Sequence, residues 1–105
     1  SSGTYRRFIN ESAVFFGLNC KKISRFDRDG VVKALSAGHP VVEICGPGDF
    51  TTGGHFIVLT GIDEDGNVTV ADPASRKKSQ KTWDINVIMS NASKKADEWT
   101  FWEIY

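Results

Sequence analysis

Residues 53–73 read GGHFIVLTGIDEDGNVTVADP, and this stretch decides the fold. Two runs rich in β-branched and apolar residues, roughly 55–62 and 67–72, flank an acidic segment that contains Asp65-Gly66. An Asp-Gly pair between two such runs is typical of a β-hairpin turn. The sequence therefore predicts two antiparallel strands, with His55 where the first strand begins and Asp72 where the second ends.

Whether His55 and Asp72 meet depends on the register of this hairpin. If the loop covers 63–66, Ile57 faces Asp72, whereas a two-residue loop puts Leu59 there. In both registers His55 and Asp72 share one face of the sheet, because opposed residues point to the same side. Only the first register keeps them one diagonal step apart, about 7–8 Å between backbones, which side chains can close.

The elements outside the hairpin complete the fold class. In chain order we predict a helix over 4–17, a short strand over 18–24, a helix capped by Asp27 or Asp29 that ends at Gly38, a central strand over 41–45, a loop over 46–54, a polar loop over 73–82, a short helix capped by Asp84, and a closing strand over 99–105. Helices and mostly hairpin-linked strands in this order predict an α+β fold, an antiparallel β-sheet of about four to six strands with packed helices.

Length and charge limit the classes of protein to consider. The 105 residues are expected to form a single domain. The charges of thirteen basic and thirteen acidic residues cancel, so no nucleic acid partner is expected. The local basic cluster of residues 76–81 is interpreted as a solvated loop. No apolar run approaches the ~20 residues of a membrane span. The chain opens without methionine, and its only methionine is Met89, so we expect a cleaved or truncated product.

A histidine held by a carboxylate is two thirds of a nucleophilic-catalysis constellation. Asp72 would accept a hydrogen bond from one ring nitrogen of His55 and leave the other free to take a proton. The alternative is that His55 is a polar residue at the mouth of a strand and that Asp72 begins a turn before Pro73. Gly53-Gly54 favours the functional alternative, because a substrate backbone can approach where side chains are absent.

The missing third is an activated nucleophile, and neither cysteine has the surroundings for it. A thiol becomes reactive beside a helix N-terminus or a cation that lowers its pKa. Cys45 ends a predicted strand with no helical sequence after it, and Cys20 lies in a short strand with lysines nearby, so we interpret both as structural thiols. No cofactor or metal is expected: the acidic turn lacks the glutamate of a calcium loop, and no cysteine pair accompanies a histidine.

Three runs of the sequence resemble a known peptidase family. They are Gly38-His39-Pro40-Val41-Val42, the loop from Gly46-Pro47-Gly48 to Gly53-Gly54-His55-Phe56, and the hairpin from Gly61-Ile62-Asp63 to Ala71-Asp72-Pro73. Together they resemble the bacteriocin-processing (double-glycine leader) cysteine peptidases. They resemble more closely the C-terminal half of the papain-like domains related to these enzymes in Gram-positive bacteria. The resemblance covers about 15–105 and implies the sheet half of a papain-like fold.

The resemblance also implies roles for particular residues. His55 matches the general base of the family, and Asp72 matches the aspartate that orients it. The nucleophile of the family is a cysteine in a Cys-Gly-Pro motif that opens a long helix in the N-terminal half, with an oxyanion glutamine before it. Cys45-Gly46-Pro47 imitates this motif at a position that corresponds to the loop before the histidine. The nucleophile is therefore expected upstream, outside this chain.

Two functions remain open from the sequence. The first is the base-bearing part of a cysteine peptidase, with a peptide or protein substrate and the N-terminal half of the domain as partner. The second is a non-catalytic peptide-binding or interaction domain derived from the same fold. We expect apolar surface on the histidine face around Phe50, Phe56 or the pair Phe15 and Phe16, and therefore possible self-association. The resemblance alone implies an extracellular or cell-surface location in a bacterium.

Overall fold

The computed structural model describes residues 2–95 and 97–105, and they form one antiparallel sheet with helices on both faces. In chain order the elements are α1 (Ser2–Phe15), β1 (Cys20–Ser24), α2 (Arg28–Ser36), β2 (Val41–Cys45), β3 (His55–Ile62), β4 (Asn67–Ala71), α3 (Arg76–Ser79), β5 (Thr82–Asp84), α4 (Ile85–Ser90) and β6 (Trp99–Ile104). The sheet has six strands, which confirms the predicted α+β class.

The strand order in the sheet is β1-β6-β2-β3-β4-β5. The last strand of the chain, β6, lies between β1 and β2 and runs antiparallel to both. β2 therefore has a neighbour on each side, as its apolar, β-branched sequence predicts. The strands β2, β3 and β4 are adjacent and carry the residues of the candidate site.

The helix ends follow the predicted capping chemistry. The Asp27 carboxylate accepts a hydrogen bond from the backbone N–H of Gly30 at 2.9 Å and begins α2, and Asp84 accepts one from Asn86 at 2.7 Å and begins α4. Gly38 follows α2 with φ +81°, a conformation that favours glycine. The predicted polar loop over 73–82 is wrong in part, because it contains α3, whose first turn Ser75 caps.

The sheet separates two apolar layers. On one face, alternate residues of β2 and β3 pack with α2 and α4; this larger core contains Val31, Leu35, Val41, Cys45, Ile57, Leu59, Val68, Ile88 and Phe101. On the other face, α1 packs through Ile9 against Ile44 and Trp102. Because neighbouring strand residues point to opposite faces, His55 shares the face of Ile57 and Leu59, away from α1.

Helix α1 covers its face of the sheet incompletely. Phe15 and Phe16 are 82% and 71% exposed, and a cavity of about 240 Å³ lies between α1 and the apolar side chains of the sheet. The predicted exposure of Phe15 and Phe16 is confirmed, but the predicted location is wrong, since this surface lies on the face opposite His55 and Phe50 is buried against Trp83. No helix in the described part of the chain is long and apolar enough to cross a membrane.

Candidate functional site

His55 and Asp72 are joined by a hydrogen bond between the ends of two strands. The Nε2 nitrogen of His55 lies 2.7 Å from Oδ1 of Asp72, and the two side chains are 17% and 0% exposed. A carboxylate oxygen only accepts, so Nε2 carries the proton of this bond. Nδ1 is then the nitrogen of the neutral ring that can accept a proton, and the site has the geometry of a base held by an orienting acid.

The register at the site end is the first of the two predicted alternatives, whereas the pairing next to the turn differs from both. Ile62 pairs with Val68 rather than with Asn67, because the backbone N–H of Asp63 bonds to the carbonyl of Asn67 and lengthens the turn. The pairing near the turn is thus displaced by one residue. A register shift between Leu59 and Gly61 reverses this displacement further along the strands. Val58 consequently pairs with Ala71, and one further step brings Asp72 opposite Ile57.

Local backbone contacts fix the Asp72 carboxylate. Its Oδ1 atom accepts a second hydrogen bond, from the N–H of Ala74 at 2.8 Å, while its own N–H donates to Oγ of Ser79 at 2.8 Å. The turn after β4 and helix α3 therefore hold this residue from both sides. Oδ2 is buried and has no hydrogen-bond partner among the described residues, so the orientation of the carboxylate depends on Oδ1.

Cys45 lies closer to the pair than its position in the sequence indicates. It is the residue directly opposite His55 in the β2–β3 register, on the same face, and it is 1% exposed. Burial raises the pKa of its thiol, and the charges of Glu43 and Asp72 raise it further. The thiol therefore stays protonated and inaccessible, which agrees with a structural role. Burial also raises the pKa of the half-buried Cys20 thiol, despite the lysines beside it.

Glu43 is a site neighbour that the sequence analysis missed. It lies two residues before Cys45 on the same face of β2, is fully buried, and pairs across the sheet with Ile57 and Phe101. Neither carboxyl oxygen has a hydrogen-bond partner among the residues that the structure describes. Burial raises the pKa of Glu43 well above its ordinary value, which favours the protonated carboxyl. The sequence signal for this neighbour is Glu43 itself, the one charged residue in the otherwise apolar strand 41–45.

The loop before His55 is fastened at its base and open at its tip. The buried side chain of Asn91 accepts a hydrogen bond from the Asp49 N–H at 2.7 Å and donates to the Asp49 carboxylate at 2.8 Å. The Asn91 carbonyl also accepts from the N–H of Gly46 at 2.9 Å. Gly53 and Gly54 are exposed at the tip. Asn91 therefore fixes the beginning of this loop, directly after β2, a contact that the sequence did not indicate.

A cavity of about 360 Å³ lies beside this loop. Its walls combine backbone and polar groups with the end of β2: Tyr5, Ile44, Cys45, Gly46, Gly53, Gly54, Ser93 and Lys95. Neither His55 nor Asp72 lines this cavity; its link to the pair is Cys45, the residue opposite His55 in the β2–β3 register. Within residues 2–95 and 97–105, no group of three or more His, Cys, Asp or Glu side chains is arranged to hold a metal ion.

Comparison with known proteins agrees with the resemblance seen in the sequence. The model of the Peptidase_C39 like family matches residues 2–103. No curated protein and no solved structure matches the chain significantly. The family match spans far more than half of the chain and includes all of the sheet except Ile104, together with His55 and Asp72. The chain therefore belongs to the Peptidase_C39-like family, a peptidase-related family.

Proposed function

We propose that this chain supplies the general base, His55, and its orienting residue, Asp72, to a cysteine peptidase whose nucleophile lies outside residues 1–105. The observation that carries the proposal is the 2.7 Å hydrogen bond between Nε2 of His55 and the buried Asp72 carboxylate. It fixes one ring nitrogen as the donor and leaves Nδ1 free. Membership of a peptidase-related family supports a peptide or protein as the substrate.

The proposed reaction follows from this arrangement. Nδ1 of His55 takes the proton of the cysteine S–H, and the thiolate attacks the carbonyl carbon of the scissile peptide bond. The resulting imidazolium, stabilised by the Asp72 carboxylate, gives its proton to the leaving amine as the C–N bond breaks. Water, deprotonated by His55, then hydrolyses the thioester and releases the acid and the free thiol. The base is regenerated, and no other reactant is needed.

The glycines at the tip of the loop are consistent with a bound peptide. Gly53 and Gly54 do not have positive φ angles, and a Cβ added at either would meet no atom within 4 Å. The fold itself therefore does not require glycine at these two positions. Both line the cavity that also borders Cys45, and Gly54 directly precedes His55, so missing side chains give a substrate main chain room to approach the base.

A test of the reaction class is labelling of the protein that carries this chain with a peptidyl electrophile directed at active-site thiols. We expect one cysteine outside residues 1–105 to be labelled at a rate that depends on His55. Cys45 should not be labelled in the native protein, because it is 1% exposed and burial raises the pKa of its thiol. Labelling of Cys45 that disappears in His55→Ala would place the nucleophile in this chain. Absence of any labelled cysteine would favour the non-catalytic peptide-binding domain.

A second prediction concerns Gly53 and Gly54. Replacing both by alanine should leave the stability unchanged or slightly higher, since alanine restricts the unfolded chain. The added methyl groups should obstruct the substrate, so kcat/KM for peptide hydrolysis should fall about tenfold. Gly38→Ala is the matched control: with φ +81° it should destabilise the fold by about 1 kcal/mol and leave kcat/KM of the folded protein unchanged. If the Gly53→Ala, Gly54→Ala protein hydrolyses peptides as fast as the wild type, the substrate main chain does not pass beside these two residues.

Two further expectations stay predictions. Self-association would involve the exposed apolar side chains of α1, Phe15 and Phe16 among them, because this is where apolar surface is uncovered. An extracellular or cell-surface location is supported only by the resemblance to bacterial peptidases.

A further inference from the structure

A basic segment borders the candidate site, formed by Arg76, Lys77, Lys78 and Lys81 of α3 and the turn after it. Arg76, Lys77 and Lys81 are exposed, as the predicted solvated loop requires. Among the described residues, none of the four makes an ion pair; Lys81 lies over the Trp83 ring at 4.1 Å. The segment is therefore a concentration of unneutralised positive charge.

The basic segment contacts residues on both sides of His55, the proposed general base. Ser79, at the end of α3, accepts the hydrogen bond from the Asp72 N–H at 2.8 Å. The indole N–H of Trp83 donates to the Lys78 carbonyl at 3.0 Å, and the Trp83 ring packs on Phe50 of the loop that leads to His55. The basic side chains thus project from a scaffold that contacts the orienting aspartate and the loop before the histidine.

Charge is distributed unevenly along the hairpin. The chain as a whole is neutral, with thirteen basic and thirteen acidic residues. The far end of the hairpin carries the acidic turn Asp63-Glu64-Asp65, and β4, at about 3.3 Å per residue, spans roughly 17 Å between that turn and Asp72. The site end is therefore positive and the turn end negative, and an anionic ligand would be drawn to the site end.

We propose that the substrate of this site is an acidic peptide, whose Asp or Glu side chains contact the basic segment while its scissile bond lies at His55. This inference rests on the proposed function and adds the class of substrate to it. The cations act on binding and orientation, and they take no part in the proton transfers.

The test compares a peptide rich in glutamate with its glutamine twin, in hydrolysis and in calorimetric binding, using the protein that carries this chain. We expect a three- to tenfold preference for the glutamate peptide at low salt, since exposed charge pairs contribute modestly, and loss of that preference at high salt. Arg76→Gln combined with Lys77→Gln should remove most of the preference. Lys21→Gln combined with Lys33→Gln is the matched control; it removes the same charge from exposed positions on β1 and α2 and should retain the preference.

Equal hydrolysis and equal binding of the two peptides would overturn the proposal. Equal loss of the glutamate preference in both double variants would also overturn it, because the effect would then depend on net charge alone. Failure of the proposed function is distinguishable from failure of this inference. If no peptide is hydrolysed with a dependence on His55, the reaction is wrong, and calorimetric binding alone decides whether the basic segment selects acidic peptides.

Discussion

Replacing His55 by alanine in the protein that carries this chain should lower kcat/KM for peptide hydrolysis at least about 10³-fold, whereas Asp72→Asn should lower it only about 10- to 100-fold. The first change removes the group proposed to take the proton from the nucleophile. The second keeps an oxygen where the ring needs one and removes only the charge. The measurement is steady-state hydrolysis of a fluorogenic peptide by each variant.

The milder effect of Asp72→Asn follows from the two hydrogen bonds at Oδ1. This atom accepts from Nε2 of His55 at 2.7 Å and from the N–H of Ala74 at 2.8 Å. An asparagine with its carbonyl oxygen at this position keeps both bonds, while the flipped amide would set a donor against the Ala74 N–H. The tautomer of His55 is thus preserved, and the loss is the stronger attraction of a carboxylate for the imidazolium.

Asp72→Ala is the control that removes both the charge and the acceptor. It should lower kcat/KM to nearly the level of His55→Ala, because the ring then loses its tautomer and its orientation. Thermal unfolding separates these effects from loss of structure. If Asp72→Asn is as damaging as Asp72→Ala while both stay folded, the charge and not the orientation dominates. If His55→Ala retains hydrolysis, the proposed base is wrong.

Glu43→Met should increase the free energy of unfolding at pH 7 by about 1–3 kcal/mol, the cost of a buried polar group without a partner, with the gain shrinking towards pH 4. The wild-type carboxyl is fully buried without a hydrogen-bond partner among the described residues, and burial raises its pKa well above the ordinary value. Methionine fills a similar volume without polar atoms, as replacement by an apolar group of the same shape requires.

The direction of the pH dependence follows from proton binding. Above the ordinary glutamate pKa, the unfolded chain releases a proton that folded Glu43 retains. The stabilising contribution of this group is therefore present at low pH, and it is lost as pH rises from about 4 towards its folded pKa, at about 1.4 kcal/mol per pH unit. Glu43→Gln should remove this slope while leaving a buried amide unsatisfied.

Denaturant unfolding across pH 4–8 measures the effect, and Glu11→Gln, on the exposed surface of α1, is the matched control. The control should change stability by less than about 0.5 kcal/mol at every pH. A Glu43→Met protein that is less stable than wild type at pH 7 would contradict the prediction. Such a result would mean that the carboxyl has a partner, such as a buried water molecule.

The sequence by itself determined the local elements of this protein. Strand β2 has the predicted bounds, and the caps at Asp27 and Asp84 begin their helices as expected, because capping and alternation depend on neighbours in the chain. The pairing of His55 with Asp72 could also be predicted from the sequence. A hairpin brings the outer ends of its two strands together, and the alternation of side chains along each strand puts both residues on the same face.

Only the tertiary structure decided the features that depend on contacts between distant residues. The insertion of β6 between β1 and β2 joins segments far apart in the chain, so no local pattern specifies it. The register shift between Leu59 and Gly61 depends on how the turn closes, which Asp-Gly chemistry alone leaves open. The same holds for the site: Cys45 meets His55, and the Glu43 carboxyl is buried, because β2 pairs with β3 and β6 in one particular register. Burial is a property of the assembled sheet, and the sheet assembles through pairings that sequence spacing does not encode.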